Sequence, residues 1–147
     1  PLGHIDGEHV QLYRRSLRRT APHTEFSLMS IDPLPRVDIA YSYAGSDGAA
    51  ISAFIAAGAR GIVSAGFAPG FVTGGERAAL IKAVDKGVVV LQSTRAGSGN
   101  VYRGHRLREA GFLVADNLNP QKARLLLSLA LSVTDDPAEI TRIFAEY

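Results

Sequence analysis

From Arg36 onward, short apolar runs alternate with stretches that are long enough to form helices. The run Val88–Leu91 is continuous and mostly β-branched, which is typical of a strand buried on both faces of a parallel sheet. A repeated strand and helix order favours an α/β sandwich with right-handed crossovers. We therefore predict a Rossmann-like or flavodoxin-like three-layer α/β fold with a small, mainly parallel sheet.

Local start signals indicate where the helices begin. Thr73 lies three residues before Glu76, which is the spacing of a capping box. Asn119 followed by Pro120 is a second start signal, since asparagine caps helices and proline suits the first helical position. The prediction has strands near 37–43, 61–65, 88–91 and 111–115, helices over 49–57, 73–86, 121–133 and 137–147, and a polar loop over 95–110.

The first 35 residues lack this regular pattern. Asp6-Gly7 between two short runs predicts a β-hairpin, because both turn positions accept a positive φ. Three prolines in the segment that follows prevent a sustained helix. We expect a hairpin and an interdomain linker over 1–35, with an α/β domain over 36–147.

The composition excludes several classes of protein. The 147 residues include no cysteine, which excludes disulfide frameworks, thiol nucleophiles and cysteine-based zinc sites. The 16 basic and 14 acidic residues leave a net charge of +2, which gives no reason to expect nucleic acid. The apolar runs are shorter than the ~20 residues of a membrane span, and the four histidines lack the spacing of a metal site. We expect no metal, nucleic acid or membrane among the partners.

Three loops are expected at the carboxyl edge of the sheet, at 45–48, 66–73 and 93–106, where ligands bind in such folds. All three are rich in glycine, serine or threonine, which sharp turns also require. The last one carries a basic cluster that consists of Arg103, His105, Arg106 and Arg108. An arginine there could hold a carboxylate in a bidentate manner or pair with Glu109.

A second basic group precedes the regular pattern. Its arginines are at positions 14, 15, 18 and 19, and Tyr13 is the aromatic residue beside them. Such a group could mark an acidic partner, but so little aromatic interleaving favours a solvated connector.

Several segments resemble a known family. They are Gly61–Gly66, Val88–Arg95 and above all Leu118–Leu127, together with Asp136-Pro137 and Phe144–Tyr147. In combination they resemble the carboxy-terminal domain of bacterial L-asparaginases. The opening Pro1-Leu2-Gly3 is similar to the segment where that family's amino-terminal domain gives way to the linker, so the resemblance extends over essentially all 147 residues.

The resemblance implies hydrolysis of L-asparagine to L-aspartate and ammonia by a threonine nucleophile, without a metal or an organic cofactor. In the family the nucleophile and its supporting residues belong to the amino-terminal domain, and they have no counterpart here. The resemblance therefore implies a chain that is inactive alone. It also implies a homodimer or homotetramer, in which this domain forms the rim of a neighbouring subunit's site for a small amide amino acid.

The sequence departs from the family pattern at this rim. Phe71 stands where the family usually has an asparagine or a serine, and Arg103-Gly104-His105-Arg106 stands where a glutamate is expected. We take Phe71, Thr73, Arg103, His105, Arg106 and Glu109 as candidate rim residues. The α-amino group of the substrate would lose an anionic partner unless Glu109 substitutes. We hypothesise weaker or altered discrimination between asparagine, glutamine and related amides.

Two other functions stay open. The protein could be a small-ligand-binding or regulatory module that uses the same loops without catalysis, or an asparaginase relative that serves tRNA-dependent amidation. The sequence begins at Pro1 without a methionine or a signal-peptide pattern, and we expect it to be part of a longer protein. Any targeting segment would lie upstream, which leaves the bacterial cytoplasm and the periplasm both open.

Overall fold

The computed structural model describes residues 1–27 and 33–147. Two strands form a hairpin, and four further strands alternate with helices. The strands are β1 (Gly3–Asp6), β2 (His9–Leu12), β3 (Val37–Tyr41), β4 (Gly61–Gly66), β5 (Val89–Thr94) and β6 (Leu113–Val114). The helices are α1 (Ala49–Ala56), α2 (Gly74–Asp85), α3 (His105–Glu109), α4 (Pro120–Ala130) and α5 (Pro137–Glu146).

The main sheet has the order β3-β4-β5-β6, and every neighbouring pair is parallel. Alternate residues of β4 point to opposite faces, as the pleat of a strand requires. Val63 packs in a core with α4 and α5, while Ile62 packs in a second core with α1 and α2. The predicted three-layer α/β fold is confirmed. Because the strands lie in the sheet in the same order as in the sequence, the carboxyl edge is shaped by the loops and not by a reversal of strand order.

The capping signals locate the helices well. Thr73 is the N-cap of α2, and its reciprocal bonds with Glu76 complete the predicted capping box. Asn119 caps α4 by accepting a hydrogen bond from the backbone N–H of Lys122. Helix α4 is shorter than predicted, because the backbone turns at 131–133 after Ala130.

The largest differences from the prediction lie after Leu91. Strand β5 continues to Thr94, although its last three residues are polar, because they pair with the end of β4 from Ser64 to Gly66. The predicted polar loop contains a single helical turn, α3. Gly111 ends that turn with a φ of 71°, a conformation that glycine adopts without strain.

The predicted amino-terminal hairpin is present. Asp6 pairs with His9, so the two-residue turn is Gly7-Glu8, one residue later than expected. Gly7 has a φ of 59°, which explains why glycine is favoured at this turn position.

None of the helices in residues 1–27 and 33–147 is long and apolar enough to cross a membrane.

The segment between the hairpin and β3 is attached to the domain. Arg18 Nη1 donates to the carbonyls of Phe144 and Ala145 at 3.1 and 2.7 Å, and Arg18 Nη2 lies 2.5 Å from Asp116 Oδ2. A cation at the carbonyl end of a helix is favourable, because that end carries the negative pole of the helix dipole. For Arg18 the prediction of a solvated connector was therefore wrong. The part of the predicted linker at 28–32 lies outside the described residues.

Candidate functional site

The three predicted loops meet at the carboxyl edge of the sheet. The Thr73 hydroxyl donates to the carbonyl of Ser46 at 2.7 Å, which joins the first loop to the second. The backbone N–H of Arg95 donates to the carbonyl of Gly66 at 2.8 Å, which joins the second to the third. Side chains from separate parts of the sequence are thereby held at one edge.

A cavity of about 460 Å³ lies between the second and third loops, at the side of the sheet that α2 and α3 cover. This volume is in the range of small-molecule binding sites. Its walls are predominantly apolar and include Phe71, Val72, Val101, Tyr102, Leu107 and Phe112.

Phe71 reaches this cavity from a tight loop. Phe67 and Phe71 exchange two backbone hydrogen bonds, each 2.7 Å long, which closes the backbone on itself after β4. Gly70 has a φ of 121°, and a Cβ there would lie 2.9 Å from Val101, so this bend requires glycine. The result leaves the Phe71 ring 65% exposed.

Gln92 provides a buried polar group in the cavity wall. Its Nε2 donates to the carbonyls of Ser64 and Ser93, each at 3.0 Å. Its Oε1 is buried and has no donor among the described residues. A buried acceptor without a donor costs about 1–3 kcal/mol. Because this oxygen has almost no accessible surface, Gln92 lines the cavity through other atoms.

The basic side chains of the cavity come from α2 and α3. Arg77, His105 and Arg106 line it. Arg77 Nη2 donates to the carbonyl of Arg106 at 3.3 Å, and the Arg77 guanidinium lies 6.0 Å from the centre of the Phe112 ring. No carboxylate is found among the described residues that line the cavity. The site can therefore accept an apolar group next to a negative charge.

The structure separates the predicted rim residues into two sets. Phe71, His105 and Arg106 line the cavity. The other three have different partners, and their role at a substrate site stays a prediction. Thr73 caps α2, Arg103 Nε donates to the carbonyl of Phe112 at 2.9 Å, and Glu109 Oε2 lies 3.2 Å from His105 Nδ1.

Sequence reasoning missed Gln92, Arg77 and Tyr102 as members of the cavity wall. A signal existed for Gln92, since an amide inside a buried strand requires polar partners. Arg77 gave no signal, because its position beside the cavity depends on how α2 packs. Within the described residues, no group of His, Asp and Glu side chains could hold a metal ion.

The sequence of the chain matches a known protein family. Residues 36–144 match the model of the Glutaminase/Asparaginase C-terminal domain. The chain is 42% identical over 130 residues to L-asparaginase 2 of Bacillus subtilis, which covers 88% of this chain and 35% of that protein. It is 36% identical over 149 residues to L-asparaginase 2 of Escherichia coli, which covers 100% of this chain and 43% of that protein.

A solved structure agrees with these matches. The crystal structure of a probable cytoplasmic L-asparaginase from Campylobacter jejuni superimposes with a TM-score of 0.92 at 36% identity, over 99% of this chain and 48% of that one. The chain thus spans less than half the length of each of these relatives. The predicted resemblance to the carboxy-terminal part of asparaginases is confirmed, and the chain belongs to the glutaminase/asparaginase C-terminal domain family.

Proposed function

We propose that this chain is the carboxy-terminal part of an L-asparaginase that hydrolyses L-asparagine to L-aspartate and ammonia. The observation that carries the proposal is similarity over 88% and 100% of the chain to two proteins named L-asparaginase 2, of each of which the chain spans under half. Residues 1–35 act as hairpin and interdomain linker, and 36–147 form the carboxy-terminal domain.

The catalytic nucleophile lies outside this chain. In support, the chain spans under half the length of the L-asparaginases that it matches, and the described cavity wall holds no threonine or lysine, the residue types that the family resemblance implies for the reaction. The reaction needs neither a metal nor an organic cofactor. The 147 residues are therefore inactive alone and supply one wall of the site.

That wall faces the active site of a neighbouring subunit in a homodimer or homotetramer. Phe71 and Tyr102 are 65% and 77% exposed and line the same cavity, and exposed apolar groups grouped around a groove mark ligand-binding or subunit surfaces. His105 and Arg106 are exposed beside them. These residues form the rim that faces the amide substrate.

The test is release of ammonia from L-asparagine and L-glutamine. The longer protein that carries this domain is expected to release ammonia from asparagine, and the 147-residue chain, with its folding checked by circular dichroism, is expected to release none. Activity in the isolated chain would disprove the assignment of the nucleophile. Absence of activity in the longer protein on every amide tested would disprove the proposed function.

A further inference from the structure

The cavity between the second and third loops has a chemical character that free asparagine does not match. Free asparagine at neutral pH carries an ammonium and a carboxylate beside its side-chain amide. The described lining offers Arg77, Arg106 and His105 but no carboxylate. An ammonium placed here would be repelled by the guanidiniums of Arg77 and Arg106, while a carboxylate would be attracted. Glu109 lies outside the described lining and is paired with His105 Nδ1 at 3.2 Å.

The apolar walls impose a second requirement. Phe71, Val101, Tyr102 and Phe112 surround a volume of about 460 Å³, which is much more than a single ammonium group would fill. Burial of an apolar group in such a space is favourable, because it removes apolar surface from water. The cavity therefore fits a substrate that carries an apolar group beside its anion.

We infer that this rim selects asparagine whose α-nitrogen is acylated with an apolar group, in preference to free asparagine. The inference rests on the proposed function, because the acyl group occupies the cavity while the side-chain amide is hydrolysed at the site completed by the rest of the protein. Acylation removes the ammonium and converts a zwitterion into a monoanion. It also turns the α-nitrogen into a neutral amide N–H, which the guanidiniums of Arg77 and Arg106 do not repel.

The reaction itself is unchanged. The nucleophile supplied by the rest of the protein adds to the carbonyl carbon of the terminal amide, the bond from that carbon to the amide nitrogen breaks, and the nitrogen leaves as ammonia with the proton that the nucleophile gives up. Water then adds to the acyl carbon, and the nucleophile leaves with a proton from the water. The products are Nα-acyl-aspartate and ammonia, and the acyl bond at the α-nitrogen stays intact.

The experiment compares three substrates with the longer protein: asparagine, Nα-acetyl-asparagine and Nα-benzoyl-asparagine. We expect kcat/KM to rise in that order, with the benzoyl compound at least ten-fold above free asparagine, because it fills the cavity best. Equal or higher kcat/KM for free asparagine would overturn the inference and leave the proposed function intact. Lack of ammonia from all three substrates would instead disprove the proposed function.

Two variants test the two requirements separately. Phe71→Ser removes an exposed apolar wall and is expected to reduce the benzoyl preference at least five-fold, chiefly through KM. Arg106→Glu places a carboxylate at the cavity and is expected to shift the preference towards free asparagine at least five-fold. The matched control is Arg108→Glu, which makes the same charge change on α3 at an exposed position outside the cavity lining. An equal shift in the control, or no shift in either cavity variant, would overturn the inference.

Discussion

The guanidinium carbon of Arg95 lies 4.3 Å from the centre of the Phe67 ring. Arg95 follows the end of β5 and Phe67 follows the end of β4, so this contact connects two loops at the carboxyl edge. Arg95 Nη1 also donates to the carbonyl of Ser42, just after β3, at 2.8 Å, and the Tyr41 ring lies 5.6 Å away. One arginine thus connects the ends of three strands beside the cavity.

Replacement of Arg95 by alanine is expected to lower the free energy of unfolding by about 1–2 kcal/mol. The expected loss combines a cation–π contact at an exposed site, about 0.5–1 kcal/mol, with one hydrogen bond, about 1 kcal/mol. Urea denaturation measures this loss, and the dependence of the free energy of unfolding on urea concentration is expected to stay the same. Arg15→Ala is the control, since Arg15 is exposed and makes no hydrogen bond or ion pair within residues 1–27 and 33–147. Similar losses in both variants would argue against the bridging role.

The capping box at the start of α2 also stabilises the edge. Thr73 accepts from the Glu76 N–H at 3.2 Å, and Glu76 accepts from the Thr73 N–H at 3.1 Å. Thr73→Ala is expected to lower the free energy of unfolding by about 1–2 kcal/mol, because it removes a helix cap and the bond to Ser46. A double-mutant cycle with Glu76→Ala is expected to show coupling of at least about 0.5 kcal/mol. Strictly additive losses would contradict a reciprocal pair.

Signals within a few residues of one another were sufficient to predict most elements. Thr73 with Glu76 and Asn119 with Pro120 identify helix starts, because capping depends only on neighbours in the sequence. The end of β5 could not be predicted in this way. Gln92 and Thr94 are polar, and their burial results from pairing with β4, which lies about 28 positions earlier in the sequence.

In the candidate site, too, some residues can be predicted from the sequence and others depend on tertiary packing. The positions of Phe71, His105 and Arg106 in the connections after β4 and β5 follow from strand order, since parallel strands place their carboxyl ends at one edge. Arg77 comes from the first half of α2 and Gln92 from inside β5. Their convergence depends on how a helix packs on a sheet, which no local pattern encodes.

Glu25 is held by three donors, of which Arg142 and Tyr147 connect the linker to α5 and its C-cap. Arg142 Nη2 lies 2.6 Å from Glu25 Oε1, Arg19 Nη1 lies 2.9 Å from Oε2, and the Tyr147 hydroxyl donates to Oε2 at 2.5 Å. The hydrogen bond from Tyr147, followed by that from Arg142, lowers the pKa of Glu25 from 4.5 to about 2. The folded protein therefore favours the ionised form of the Glu25 carboxyl group.

This depressed pKa predicts how stability depends on pH. Because the folded pKa is below the unfolded value, the contribution of Glu25 is fully present above about pH 4.5 and is lost as the pH falls towards about 2. Glu25→Gln is expected to be less stable than the parent at pH 7, with the difference shrinking across that window. Urea denaturation at several pH values measures it. Glu8→Gln, at an exposed position of the hairpin turn, is the control, and a difference for Glu25→Gln that stays constant from pH 7 to pH 2 would refute the assignment.

Phe112 and Phe71 line the same cavity but differ in what they do for the fold. Phe112 is fully buried in the core formed with α1 and α2, whereas Phe71 is 65% exposed. Phe112→Ala is expected to lower the free energy of unfolding by about 3–5 kcal/mol, since truncation removes buried surface and leaves a void. Phe71→Ala is expected to change it by less than about 0.5 kcal/mol, as for other surface substitutions, while it weakens binding of an apolar ligand. Thermal unfolding of both variants measures this contrast, and a large loss of stability in Phe71→Ala would place Phe71 in the core and not at a binding surface.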